Sequence, residues 1–238
     1  MDHAFVYLTA FFAAGLALLS GFGLGTILTP VFLLFYEPKI AIFLVANVHL
    51  LNNLLKLAIF KKHIDLGILK RFGILALVGA FIGAFGQVYM ANVWLKKLIG
   101  IVLIYLGFQE WFPKQSQFRF PKSLDPIGGF LSGLLGGLVG NQGAIRSAFL
   151  LNYQISKETF IATGVVIACV VDIARIPVYW IAYGETLLGS WRPLFALICV
   201  SFAGTFVGTV LLKRFSVSGF RKAVSVIIVL MGVYFLFK

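Results

Sequence analysis

Charge is scarce in these 238 residues, at 12% of the chain, and acidic charge scarcer still, with 8 Asp and Glu against 20 Lys and Arg. Soluble domains carry roughly 25% charged residues. Cysteine is nearly absent too, with only Cys169 and Cys199, both inside apolar runs. That excludes a disulfide framework and a cysteine metal site; both are expected to be small core residues. No HExxH motif, no GxSG elbow and no second deep aspartate occurs. Without them no nucleophile–base pair or catalytic carboxylate dyad can be assembled, so catalysis is not expected. There is also no basic tail and no basic, aromatic-interleaved stripe of the kind that binds nucleic acid. Met1-Asp2-His3 lacks the basic start of a signal peptide, so the first apolar run is expected to stay in the mature chain.

What remains is apolar. Hydrophobic residues make up 61% of the chain and the mean hydropathy is +1.00. A water-soluble fold of this size cannot hide that much apolar surface. The long, continuous runs exclude an alternating β-barrel, so the fold class is an all-α polytopic membrane protein. Eight segments stand out: 5–35, 40–60, 66–90, 93–111, 126–152, 157–183, 192–212 and 220–237. The net charge of +12 lies mostly at their ends, where it sets topology and meets anionic lipid.

Two segments are too long and too rich in glycine for one simple crossing. Residues 5–35 would make a helix of about 46 Å, against a hydrocarbon core of about 30 Å. They contain Ser20-Gly21-Phe22-Gly23-Leu24-Gly25 and Pro30, and the fifth segment contains Gly136-Gly137-Leu138-Val139-Gly140-Asn141-Gln142-Gly143. Glycine at this density weakens a helix and permits sharp turns. Each segment is therefore expected to be two shorter helices joined by unwound backbone.

The chain also repeats. At a shift of 118, Gly25-Thr26-Ile27-Leu28-Thr29 falls on Gly143-Ala144-Ile145-Arg146-Ser147, and Lys39 on Lys157. At a shift of 125, Gly79 and Gly83 fall on Gly204 and Gly208, and Lys96-Lys97 on Arg221-Lys222. The seven-residue difference is expected in a longer loop around Gly184–Trp191. The layout is a first transmembrane repeat, 1–112, a cytoplasmic linker, 113–125, and a second repeat, 126–238. If both broken segments dip in and return to the same side, one face collects twelve Lys and Arg and the other five. If all eight segments cross, no bias exists. The positive-inside rule thus favours inverted repeats with both termini outside. Lys96-Lys97 on the outer face counts against it. In transporters built this way the breaks meet near the bilayer midplane and hold the substrate.

Ser20-Gly21-Phe22-Gly23-Leu24-Gly25-x4-Pro30 resembles the glycine-rich first motif of the TauE/SafE sulfite-exporter family. Gly129-Phe130-Leu131-Ser132-Gly133-x2-Gly136-Gly137 is similar to the second-repeat motif of that family. The likeness spans nearly the whole chain. It implies a bacterial inner-membrane carrier exporting small sulfur-containing anions, such as sulfite or organosulfonates. The sequence departs from the family pattern at Asn141–Arg146, where a glycine triplet and a later proline are usual.

Candidate site residues follow from the few polar groups inside the apolar runs. Arg146 lies in the first turn after the second break, where amides and helix dipole attract an anion and its guanidinium adds a bidentate fork. The alternative is a structural arginine paired with carbonyls or Asp172. Asn141, Gln142, Gly143 and Ser147 can add donors, as can Gly23, Gly25 and Thr26 at the first break, with Thr29 close by. Thr and Ser can instead bond back to their own helix. Asp172 and Arg175 share a face at i and i+3, either neutralising one another or dividing coupling and substrate charge between them. His49, Asn52, Asn53 and Lys56 form a polar stripe that is either a second wall of the site, with His49 able to carry a proton, or a set of interhelical hydrogen bonds. Lys56 is expected to snorkel to the cytoplasmic interface. Gly79, Gly83, Gly204 and Gly208 are expected to permit close helix packing.

The function so read is secondary transport of a small anion, with an anion-conducting channel built from two re-entrant half-helices as the alternative. The partners are the anion and the lipid bilayer, with no nucleic acid and with homodimerisation left open. No cofactor or metal is implied.

Overall fold

A computed structural model describes residues 3–20, 24–109, 111, 120–188, 191–211 and 217–237. These residues are almost entirely helical, with no strand among them. The first half holds α1 (His3–Ser20), α2 (Leu24–Phe32) and α3 (Pro38–Phe60). A short α4 (Leu66–Ile68) then continues through a π-helical turn, Leu69–Gly73, into α5 (Ile74–Tyr89), and α6 (Asn92–Gln109) follows. The second half holds α7 (Asp125–Val139), α8 (Gly143–Leu150), α9 (Lys157–Leu188), α10 (Trp191–Leu211) and α11 (Val217–Phe237). The chain is a multi-pass membrane protein by its helices. Pro38–Ala58, Leu66–Tyr89, Asn92–Gln109 and Lys157–Glu185 are each long and apolar enough to cross a bilayer. Large apolar side chains such as Phe81, Ile181 and Phe206 stay exposed, as they do when lipid is the solvent.

The second break is sharp. Gly140 has φ +80°, the one left-handed residue among those described, and its amide closes the last turn of α7 on Gly136. A side chain at this position would force the same φ at a steric cost that glycine avoids. Beyond the break α8 folds back along α7. The Tyr153 hydroxyl donates to the Asp125 carboxylate, so the chain just past α8 lies beside the start of α7. A Cβ added at Gly128 would run into the Phe149 ring, which itself stacks on Phe120 with centroids 4.6 Å apart. At the first break α2 likewise packs on α1, and Tyr36 beyond α2 lies within electrostatic range of Tyr7 near the start of α1. Gly23 and its neighbours 21–22 lie outside the described residues, as does most of the linker, 112–119.

The halves are interleaved. Helix α1 packs on α10 of the other half, and α7 packs on α5. Glycine makes both contacts possible. A Cβ at Gly204 would strike the Phe11 carbonyl, and one at Gly79 the Phe130 carbonyl, so these backbones touch directly. Helices α3 and α9 run antiparallel: Phe43 meets Tyr179 and Trp180, His49 meets Asp172, and Asp65 beyond α3 bonds Thr163. Helices α6 and α11 are antiparallel too, with Gly100 against Gly232 and Trp111 bonded to Ser225 at 2.9 Å.

Two expectations need correction. Helix α9 continues to Leu188, so the extra residues of the second half extend a helix in place of a loop from Gly184. The stretch after Pro177 contains one glycine and otherwise residues that tolerate helix well, so nothing stops it. Cys169 is buried as expected, but Cys199 is exposed on α10. A thiol is apolar enough to face acyl chains, so burial inside protein is not required of it.

Candidate functional site

The last turn of α7 presents its carbonyls to α9, Gly136 among them although it also accepts from the Gly140 amide. Two α9 side chains take them. Arg175 donates from Nη1 to the Gly136 carbonyl at 2.7 Å, and the Tyr179 hydroxyl donates to the Gly137 carbonyl. A cation here also matches the negative end of the helix dipole. The rest of Arg175 is engaged by Asp172. Its Nε and Nη2 lie 3.0 and 2.8 Å from Oδ1. All three guanidinium nitrogens thus have partners, and the residue is buried.

Asp172 is shared. Its Oδ2 lies 2.6 Å from Nδ1 of His49 across the α3–α9 contact. Asn53, one turn on from His49, places its amide nitrogen 3.1 Å from the imidazole Nδ1 and 3.3 Å from Nε2. A neutral imidazole with its proton on Nδ1 satisfies both neighbours, a tautomer assigned from this network. Lys56 continues the same face. It is only 5% exposed and lies within electrostatic range of Arg146, so it does not reach the interface. The reason is its packing: about a turn before the end of α3, it lies within electrostatic range of Arg146 on α8 and Cys169 on α9. Asn52 leaves the stripe, bonding Thr205 and the Ser201 carbonyl on α10 at 2.5 and 3.3 Å.

The start of α2 meets the second break. The Thr26 hydroxyl donates to the Asn141 side-chain oxygen at 2.6 Å, joining the start of α2 to the second break. A Cβ at Gly25 would lie 3.0 Å from the Gly140 carbonyl, and one at Gly140 would lie 3.5 Å from the Thr29 hydroxyl and 3.4 Å from Arg175 Nη1. Gly143 opens α8 as a buried residue, and Ser147 is half-buried one turn along. Around this junction several buried polar atoms lack partners: the Thr29 hydroxyl, the Asn141 amide nitrogen, both polar atoms of the Gln142 side chain and Nη1 of Arg146. Half of all such atoms among the described residues therefore cluster at the breaks, where native proteins place water or ligand. Arg146 packs against α9, with Nε 3.5 Å from where a Gly164 Cβ would sit.

The chain matches the family described as Sulfite exporter TauE/SafE over residues 6–235. It belongs to the TauE/SafE family. Neither a curated protein nor a solved structure matches it. Membership places the chain among membrane transporters, in agreement with its apolar spans and interrupted helices.

For this TauE/SafE chain, Thr26, Asn141, Gln142, Gly143, Gly25, Asp172, Arg175, His49 and Arg146 come together around one junction of α2, α3, α7, α8 and α9. Asn52 is turned elsewhere. Sequence reasoning overlooked Tyr179 and misplaced Lys56. Both had a signal: Tyr179 follows Asp172 and Arg175 at i+7 and i+4, and Lys56 follows His49 and Asn53 at i+7 and i+3.

Proposed function

We propose that this chain is a secondary transporter that carries a small oxyanion, sulfite or an organosulfonate, outward across a bacterial inner membrane. The anion binds where the two broken helices meet. The observation that carries this reading is Arg146: its Nη1 is buried without a partner in the first turns of α8, at the positive end of that helix. A cation placed there is repelled by the helix dipole, and an anion relieves both charges. The orphaned amide nitrogens of Asn141 and Gln142 add neutral donors. Thr26 and the Gly25 backbone, at the start of α2, form the opposite side. Arg175 contributes by holding the end of α7 in place, with Asp172 orienting it.

The pairing of the helices supports an inverted arrangement. Equivalent spans of the two halves, α3 with α9 and α6 with α11, touch in antiparallel fashion. A two-fold axis relating such pairs lies across the helices, in the plane of the membrane. The hairpins α1–α2 and α7–α8 then enter from opposite faces, residues 1–112 and 126–238 form the repeats, the linker 113–125 is cytoplasmic and both termini are outside. Rocking one half against the other opens the junction to each side in turn, which is carrier behaviour.

The test is purified chain in proteoliposomes loaded with sulfite or a sulfonate. Wild-type protein is expected to show saturable flux and counterflow, with Arg146→Ala inactive and Arg146→Lys partly active. Ligands that bind the native state also raise its melting temperature, by RT ln(1 + [L]/Kd) in stability. Wild-type binding in Arg146→Ala would remove Arg146 from the site, and flux without saturation would favour a pore.

A further inference from the structure

Resting on that reading of the junction as an oxyanion site, we propose that Gln142 makes the site select oxyanions that carry a hydrogen-bond donor of their own, such as hydrogensulfite, over those that carry none, such as alkyl sulfonates. Contacts place both the backbone and the side chain of Gln142 at the second break. The Ser132 hydroxyl of α7 donates to its backbone carbonyl at 2.9 Å, and the Arg146 backbone amide donates to the same carbonyl at 3.3 Å. Its Cβ and Cδ lie 3.1 and 3.7 Å from where a Gly136 Cβ would sit, so the side-chain amide rests against the last turn of α7. Gln142 and Arg146 stand at i and i+4 at the start of α8 and leave it on one face.

Gln142 is 3% exposed, and its amide nitrogen and amide oxygen are both buried without a partner. The other unpartnered atoms at the junction are the Asn141 amide nitrogen, Nη1 of Arg146 and the Thr29 hydroxyl. The first two only donate, and the Asn141 oxygen is already taken by Thr26. An oxyanion without hydrogen offers acceptors only. It serves Nη1 of Arg146 and the two amide nitrogens, and it leaves the Gln142 oxygen facing another oxygen. A buried acceptor left in that state weakens binding. Turning the amide over changes nothing, because nitrogen and oxygen exchange places and one acceptor always remains. A ligand with an acceptor and a donor on one central atom meets both ends of the amide at once. Its other oxygens stay free for the Arg146 guanidinium. The Thr29 hydroxyl does not discriminate, since it can give or accept.

Sulfamate and methanesulfonate isolate the donor. Both are tetrahedral at sulfur, with three oxygens and a single negative charge at neutral pH, and they differ by an amino group in place of a methyl group. The experiment is calorimetric titration of the full chain in detergent at neutral pH. Wild-type protein is expected to bind sulfamate at least about tenfold more tightly than methanesulfonate, a difference of about 1.4 kcal/mol. In Gln142→Met both anions are expected to weaken with the loss of the amide nitrogen, and their ratio to fall below about threefold. Arg146→Lys is expected to weaken both alike and to keep the ratio. Methionine matches glutamine in length and brings no strongly polar atom to bury, so this variant is expected to fold, and Gln142→Leu provides a second. Equal binding of the two anions by wild-type protein overturns the donor preference and leaves the oxyanion site standing, with water serving the Gln142 oxygen. A preference that survives in the Gln142 variants overturns the assignment to Gln142. Binding of neither anion overturns the selection and the site together.

Discussion

The His49 imidazole and the Arg175 guanidinium hold opposite oxygens of one carboxylate, Asp172, at 2.6 and 2.8 Å. All three residues are buried, and the carboxylate is the one countercharge in contact with Arg175. Removing it strands Arg175. Asp172→Asn is expected to destabilise the protein by about 3–5 kcal/mol, because an uncompensated buried charge remains. Removing both charges, as in Asp172→Asn with Arg175→Gln, is expected to recover part of that loss. Unfolding of the purified chain in mixed micelles measures each term. Additive losses in the double variant would show that the two side chains do not act as a pair.

Protonation of His49 links pH to anion binding. With Nδ1 donating to Asp172, the titrating atom is Nε2, which faces the Asn53 amide. The charges around it are Asp172 and Arg175 from α9 and Lys56 from α3, with Arg146 of α8 and the Cys169 thiol of α9 beyond Lys56. A proton added at Nε2 brings positive charge toward the junction, so a bound anion favours the protonated form. By linkage the protonated form then binds the anion more tightly, and affinity is expected to rise as pH falls from about 6.5, the ordinary histidine value, to about 5. Methanesulfonate is the probe, since it keeps its single charge over that range. His49→Gln is expected to bind it with no pH dependence. A wild-type affinity that does not move with pH rules the linkage out.

Much of this was legible before any coordinates, for a physical reason. Membrane spans must be apolar and helical, so composition and length fix them, and glycine density betrays Gly140 because little else turns a helix so sharply in lipid. The scarcity of polar residues made Asp172, Arg146, His49 and Asn141 conspicuous. Direction was harder to read. The stripe His49, Asn52, Asn53 and Lys56 looks like one face at helical spacing, yet Asn52 serves α10, His49 and Lys56 face α9 and α8, and Asn53 bonds His49 on its own helix, because α3 is flanked on both sides. The partners of Arg175 were half visible. Asp172 could be inferred from spacing, but the Gly136 carbonyl belongs to a helix end whose position depends on tertiary packing.

Close approach of the two breaks depends on Gly25. A Cβ there would sit 3.0 Å from the Gly140 carbonyl, which is backbone and cannot rotate away. Gly25→Val is expected to push α2 off the α7–α8 break, lose the Thr26–Asn141 bond and abolish transport, with the chain still inserted and monodisperse. Gly86→Ala is the control, since its Cβ meets only the end of the Leu138 side chain at 3.4 Å. Full transport by Gly25→Val would mean that the junction tolerates separation and does not form the binding site.

The crossed packing of the halves makes a paired demand on glycine. In one contact Gly133 of α7 lies against the Ala76 carbonyl of α5, and in the other Gly208 of α10 lies against the Gly15 backbone of α1. These contacts have no side chain to yield, and transmembrane helices associate through such close packing because lipid provides no hydrophobic drive between them. Gly133→Val and Gly208→Val are therefore each expected to reduce the yield of folded protein severely, each through the contact between one half and the other. If the interleaving is what holds the halves together, co-expression of residues 1–112 with residues 126–238 as separate chains is expected to give a complex that co-purifies. Either valine substitution, both of which lie in the 126–238 chain, is then expected to abolish co-purification. Halves that associate normally with valine at both positions would show that α1–α10 and α5–α7 packing is incidental to assembly.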